Sequence, residues 1–160
     1  MPTNNLKPKV PSRGGPELKD IVASAEEALS RMEGDYEIWV AKDVQKISDF
    51  LEGAKESLEM GAQSQSDFIE EIHVVGHNIK GQAATFNFPL LTSAAKSLCH
   101  FIQEGGATAE KRLDLVEAHV NTMKIILAQK MKGNGGKSDR GLITALEQAV
   151  EKVLTTQSKS

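Results

Sequence analysis

At 160 residues and a formal net charge of −3, the chain is long enough for one domain with a real core. It lacks the basic surface that a general nucleic-acid binder needs for its phosphate contacts. A single cysteine, Cys99, excludes an intrachain disulfide and a cysteine-cluster metal site. No apolar run approaches the ~18 residues of a membrane span, and the N-terminus has no signal-peptide core, so a cytoplasmic protein is expected. Aromatic residues make up only 4% of the chain, and turn residues cluster between long periodic runs, which favours helices over sheets.

Residues 1–15 hold three prolines and two glycines and read as a mobile tail. Pro16 suits the first position of a helix. Leu18, Ile21, Val22, Ala25, Leu29 and Met32 then form an apolar face, with a stop expected near Gly34. A second helix is expected over 35–60 on Val40, Val44, Ile47, Leu51, Ala54 and Leu58, spaced by fours and threes as in a bundle seam. Trp39 and Phe50 flank that seam and are expected to widen the core contact, while Gly53 suggests a bend. Residues 61–66 read as a loop in which Ser64 or Ser66 caps the next helix.

The third pattern, over 67–86, carries the chemistry. Phe68, Ile72, Val75, Ile79, Ala83 and Phe86 share one apolar stripe, which places His77 nearly opposite, on the water side. Glu70, His73, Lys80, Gly81 and Ala84 surround it. Gly81 is an odd choice, because Gly in a helix interior costs ~1 kcal/mol relative to Ala; it leaves room for a close approach. A fourth helix is expected over 88–104, up to Gly105-Gly106, and a fifth over 108–132 on Leu113, Val116, Val120, Met123 and Leu127. The cluster Gly133-Asn-Gly-Gly136 lacks the spacing of a phosphate loop and reads as a turn. A last helix follows over 138–154 on Leu142, Ile143, Leu146, Val150 and Val153, and residues 157–160 read as a frayed tail. Short connections imply antiparallel neighbours, hence an all-α, up-and-down four-helix bundle with additional N- and C-terminal helices. Residues 16–156 form its single domain.

Nucleophilic attack on phosphorus needs a neutral imidazole with one free ring nitrogen, which an exposed histidine offers near neutral pH. Lys80, three residues on, lies on the same side as His77 and can reach an oxygen of a phosphate carried there. The stretch His77-Asn-Ile-Lys80-Gly81-Gln-Ala-Ala-Thr-Phe86-Asn87-Phe resembles the histidine-containing phosphotransfer (HPt) domains of two-component phosphorelays. It is most similar to the phosphotransfer domain of chemotaxis histidine kinases. The motif covers about residues 77–91. It departs from the family's usual Gly at Asn87, the next most tolerant residue of a left-handed backbone.

The resemblance implies that His77 is the phosphoacceptor, Lys80 its phosphoryl-oxygen partner and Gly81 the access point. His73, Val74 and Ala84 then form a docking surface for response-regulator receiver domains and for a sensor or hybrid histidine kinase. Such a protein is a monomeric covalent carrier without turnover of its own. It needs no cofactor, because the receiver brings the Mg²⁺. At the position of Cys99 the family often has Glu or Gln bonded to the acceptor ring. A thiol is a weak substitute, and Gln103 one turn on is placed to reach across instead. An HPt-fold docking module that binds the same partners without carrying phosphate is the alternative. His73 and His77 also have the i, i+4 spacing that can chelate Zn²⁺. With no third ligand besides Glu70, no metal site is assigned. His100, beside a core face, and His119, on a charged helix, read as structural or incidental.

Overall fold

The computed structural model describes residues 17–57, 62–129 and 137–159, and every element among them is helical. In chain order these are α1 (Leu18–Glu56), α2 (Ala62–Thr85), α3 (Pro89–Gly105), α4 (Ala107–Lys111), α5 (Leu113–Ala128) and α6 (Lys137–Lys159). The expected N-terminal tail and the Gly133–Gly136 turn lie outside the described residues. The chain divides into two compact units, residues 1–36 and 37–160.

Two of the expected helices are one. Gly34 does not end the first helix, because α1 runs from Leu18 to Glu56. A single glycine costs a helix ~1 kcal/mol but does not break it, and Arg31, Met32 and Glu33 before it are good helix formers. Within the first unit, the face expected to pack on a core is instead exposed at Leu18, Ile21, Val22, Leu29 and Met32.

In the second unit the seam of α1 is buried as its spacing predicts, at Val40, Val44, Ile47, Leu51 and Ala54. Trp39 departs from expectation and is 60% exposed, since it lies on the outer flank of that seam. Gly53 is not a bend. A Cβ built there would come within 2.6 Å of the Phe68 ring, so the glycine makes space for α2 to approach α1. Phe50 completes the contact, with ring centroids 6.4 Å apart. Towards α5, Lys55 meets Glu117 at 2.9 Å and Lys124 donates to Ser48 at 3.1 Å.

Helix α2 starts at Ala62, five residues earlier than expected, so Ser64 and Ser66 lie inside it and cap nothing. Gln65 on this extra turn is buried and donates to the Glu110 carbonyl at 2.8 Å. The end of α2 is a Schellman motif: the Phe88 N–H donates to the Ala83 carbonyl at 2.9 Å, and Asn87 takes φ 67°. The left-handed position expected at Asn87 is therefore present. Pro89 opens α3 at its first turn.

Helix α3 is central. It packs on α2, α5 and α6, and Leu90, Leu91, Ala94, Ala95, Leu98 and Phe101 are almost wholly buried. Each large aliphatic side chain so buried contributes roughly 1.5–3 kcal/mol. Gly106, with φ 50°, closes it. The fifth expected helix is two, α4 and α5, broken at Arg112 (φ −115°, ψ 56°). There the guanidinium turns onto Asp114 through two 2.9 Å bonds.

The break lets α5 bury two adjacent stripes, Val116-Val120-Met123 and Leu115-His119-Thr122-Ile126. His119 is thereby a core residue, not a charged-face one. Its Nδ1–H donates to the Leu115 carbonyl at 2.8 Å, which leaves Nε2 to accept from the Ser97 hydroxyl at 2.9 Å. Burial holds its pKa below the ordinary histidine value. His100, by contrast, is exposed, with Nε2 3.2 Å from Glu151. α6 extends to Lys159, past the expected end at 154, so the backbone of residues 155–159 is helical.

Candidate functional site

His77 sits in the middle of α2 and is exposed. Over residues 64–85 of this helix the buried positions are Gln65, Ile69, Ile72, Gly76, Ile79 and Ala83, whereas Phe68, Val75 and the following Phe86 are only half-buried. The core stripe is thus rotated from the expected one. His77 lies about 120° from its centre, not diametrically opposite. This rotation matters for the chemistry, because it brings the imidazole to the edge of the α2–α3 contact and not to the far side of the helix.

A cleft of about 260 Å³ opens there, lined by His73, Val74, His77 and Asn78 of α2 and by Gln103 of α3. Gln103 therefore shares the cleft with the imidazole, as a residue reaching across from α3 must. Val74 is 48% exposed and shares the cleft with His77, an apolar surface next to the imidazole. His73 is half-buried, not on the open water side, and its Nε2 is shielded from solvent without a hydrogen-bond partner. Among the described residues no group of three or more His, Cys, Asp or Glu side chains is placed to hold a metal ion.

Lys80 is half-buried, and its ammonium lies near enough to Cys99 to oppose the rise in thiol pKa that burial causes. The cation is thus on the α3 side of the helix, the side that carries the cleft. Gly81 is open: a Cβ built there meets nothing within 4 Å, and Gln82 and Ala84 around it are exposed. Close helix packing does not explain this glycine. The sequence reading missed the glycine that packing does explain, Gly76. A Cβ on Gly76 would stand 3.3 Å from Cys99 Sγ and 3.8 Å from Leu98 Cδ2, so its absence lets α3 close on α2 directly beneath His77. Its spacing of seven residues from both Ile69 and Ala83, which puts it on their face of the helix, was the signal.

Cys99 is buried, with Sγ directed at Gly76 and at the His73 carbonyl, 4.0 Å away. The thiol supports the turn that precedes His77 and makes no bond to the imidazole. Of the two residues expected to hold the ring, Gln103 shares its cleft and Cys99 packs under its backbone.

Chemically, the arrangement offers an accessible ring nitrogen, a cation one turn on, an unshielded backbone at Gly81 and an apolar rim at Val74. A separate cleft, about 530 Å³, shares none of these residues. It runs between α4 and α6 past Thr108, Lys111, Arg112 and Lys152, and no histidine or cysteine lines it. No family model, curated protein or solved structure matches this chain.

Proposed function

We propose that the protein is a histidine phosphotransfer protein of a two-component phosphorelay, and that His77 carries the phosphoryl group. In this reading α1 from Glu37 onward, α2, α3 and α5 form an antiparallel four-helix bundle, with the remaining helices outside it. The single observation that carries the proposal is the company His77 keeps: an exposed imidazole with Lys80 one turn on and Gly81 open beside it.

The reaction asks little of this chain. A neutral ring nitrogen of His77 attacks the phosphorus of an aspartyl phosphate in line, and the bond from phosphorus to the aspartate oxygen breaks, releasing the carboxylate. Catalysis of such a step is positioning and charge neutralisation. Lys80 supplies one positive charge to the phosphoryl oxygens, and Gln103 holds the ring. The receiver domain supplies the Mg²⁺ and the phosphoaspartate; a histidine kinase supplies ATP in the charging direction. His73, Val74 and Ala84 form the surface on which either partner docks. The protein is a carrier that shuttles phosphate between partners in the cytoplasm and has no turnover of its own.

The test is transfer from phosphorylated receiver domains, or from an active histidine kinase, to the purified chain. Acid-labile, alkali-stable label on the wild type and none on His77→Gln is the expected result, with the two proteins melting at the same temperature. Label retained by His77→Gln overturns the assignment. Binding of receivers without any label makes the protein a docking module instead.

A further inference from the structure

The first compact unit of the chain leaves an apolar surface uncovered. Leu18 is 76% exposed, Ile21 52%, Val22 46%, Leu29 58% and Met32 50%. Single exposed aliphatic residues need no explanation, but a contiguous set marks an interaction surface. Leu18, Val22, Ala25, Leu29 and Met32 follow one another by 4, 3, 4 and 3 residues. That is the 3.5-residue repeat of a coiled-coil seam, with Val22 and Leu29 at a and Leu18, Ala25 and Met32 at d. The outer positions are polar: Asp20, Ser24, Glu27, Ser30 and Arg31, with Glu27 and Arg31 paired to each other at 3.7 Å. We infer that this segment of α1, residues 18–35, is a dimerisation helix that pairs antiparallel with the same segment of a second copy.

Charge selects the occupant and its direction. The polar face carries Glu17, Asp20, Glu26, Glu27, Glu33 and Asp35 against only Lys19 and Arg31, so an anionic membrane surface, which requires a basic face, repels it. The positions flanking the seam are Lys19, Glu26 and Glu33 on one side and Ile21, Ala28 and Asp35 on the other. In a parallel pair these bring Glu26 and Glu33 against Ile21 and Ala28 of the second copy, and no opposite charges meet. In an antiparallel pair that sets Val22 against the second copy's Met32, and Ala25 against its Leu29, each Lys19 meets a Glu33. The small Ala25 faces the larger Leu29, so the layers fill evenly. Glu26 opposite its own copy is the one like-charge contact. The overlap spans 18 residues, about 27 Å of helix. The expectation of a monomer gives way to a dimer, and this inference does not rest on the phosphotransfer reading.

Sedimentation equilibrium of the full chain over a concentration series tests it, with far-ultraviolet circular dichroism confirming that each variant is folded. The wild type is expected to dimerise reversibly. Leu29→Glu is expected to weaken the dimer by more than about a hundredfold, since two leucines leave the seam of each dimer. Lys19→Glu and Glu33→Lys are each expected to weaken it, and the double variant Lys19→Glu/Glu33→Lys to restore it. A wild type monomeric at every concentration overturns the inference, as does a dimer indifferent to Leu29→Glu. Failure of the double reversal to rescue overturns the antiparallel register. If the wild type is monomeric and Leu29→Glu instead weakens binding to phosphatidylglycerol vesicles or to a kinase, the face belongs to that partner, and self-association is wrong.

Discussion

At the scale of single residues, the site separates three roles that lie within five positions of one another. On the proposed reading, His77 is the nucleophile, Lys80 the charge, and Gly81 the opening. Lys80→Ala should slow transfer from a receiver about 10- to 100-fold, a loss of one oxygen contact worth roughly 1.5–3 kcal/mol, with the melting temperature unchanged; single-turnover labelling measures it. Gly81→Leu should fold as well as the wild type, because nothing within 4 Å obstructs a side chain there, yet block labelling by filling the approach. Normal transfer by that variant refutes the access role. Cys99 belongs to a different class. Its Sγ lies against Gly76, so Cys99→Gln, which by the resemblance would supply the ring with its usual partner, overpacks the α2–α3 contact. It should cost about 1–3 kcal/mol of stability in a denaturant titration. Gln103→Ala, at an exposed position of the cleft, should preserve stability and lower acceptance of phosphate from a kinase.

At the scale of elements, glycines that look alike in the sequence do opposite things. Gly34, Gly53 and Gly81 all interrupt helical runs. At Gly34 and Gly81 an added Cβ meets nothing, whereas at Gly53 it meets the Phe68 ring at 2.6 Å. Gly34→Ala and Gly81→Ala should therefore each gain up to about 1 kcal/mol from helix propensity, raising the melting temperature by about 2–4 °C. Gly53→Ala should forfeit that gain and lose stability, because Phe68 must leave its place beside Phe50. Equal shifts for all three variants in a thermal melt contradict the α1–α2 contact described above.

At the scale of the whole molecule, one histidine among the described residues, His119, is fully buried in the core. His119 is neutral in the fold, buried between Leu115 and Ser97, with its pKa depressed below the ordinary 6.5. Above pH 6.5 it is neutral in both folded and unfolded chains and adds no pH dependence. As the pH falls below 6.5 the unfolded chain takes up the proton first, so stability drops, with a slope of up to about 1.4 kcal/mol per pH unit. The drop continues until the folded-state pKa is reached. Urea unfolding of the wild type between pH 7.5 and 5 should show this slope, and His119→Gln should lack that part of it. An identical pH dependence in the two proteins shows that the ring is not held neutral.

What the sequence determined by itself is what depends on the chain's own neighbours. Helical periodicity, repeating every 3.6 residues, was enough to place Ile72, Ile79 and Ala83 inside and His77 outside on the same helix. The freedom of Gly to take positive φ marked the stop at Gly106, and the resemblance, with Asn standing where the family has Gly, marked the left-handed turn at Asn87. Pro89 at a helix start needed nothing further. Tertiary structure alone decided what depends on the facing element. Gly53 read as a bend, and Gly76 carried no reading at all, until Phe68 and α3 are seen to occupy the space a side chain would need. His119 read as part of a charged helix until the break at Arg112 turned a second stripe of α5 inward. Cys99 and Gln103, four residues apart on one flank of α3, were indistinguishable by spacing. The rotation of α2 sends one under the backbone of the site and the other into its cleft. Periodicity fixes an angle around a helix axis, but the side chain that meets that angle from across the core belongs to another part of the chain, and only packing brings the two together.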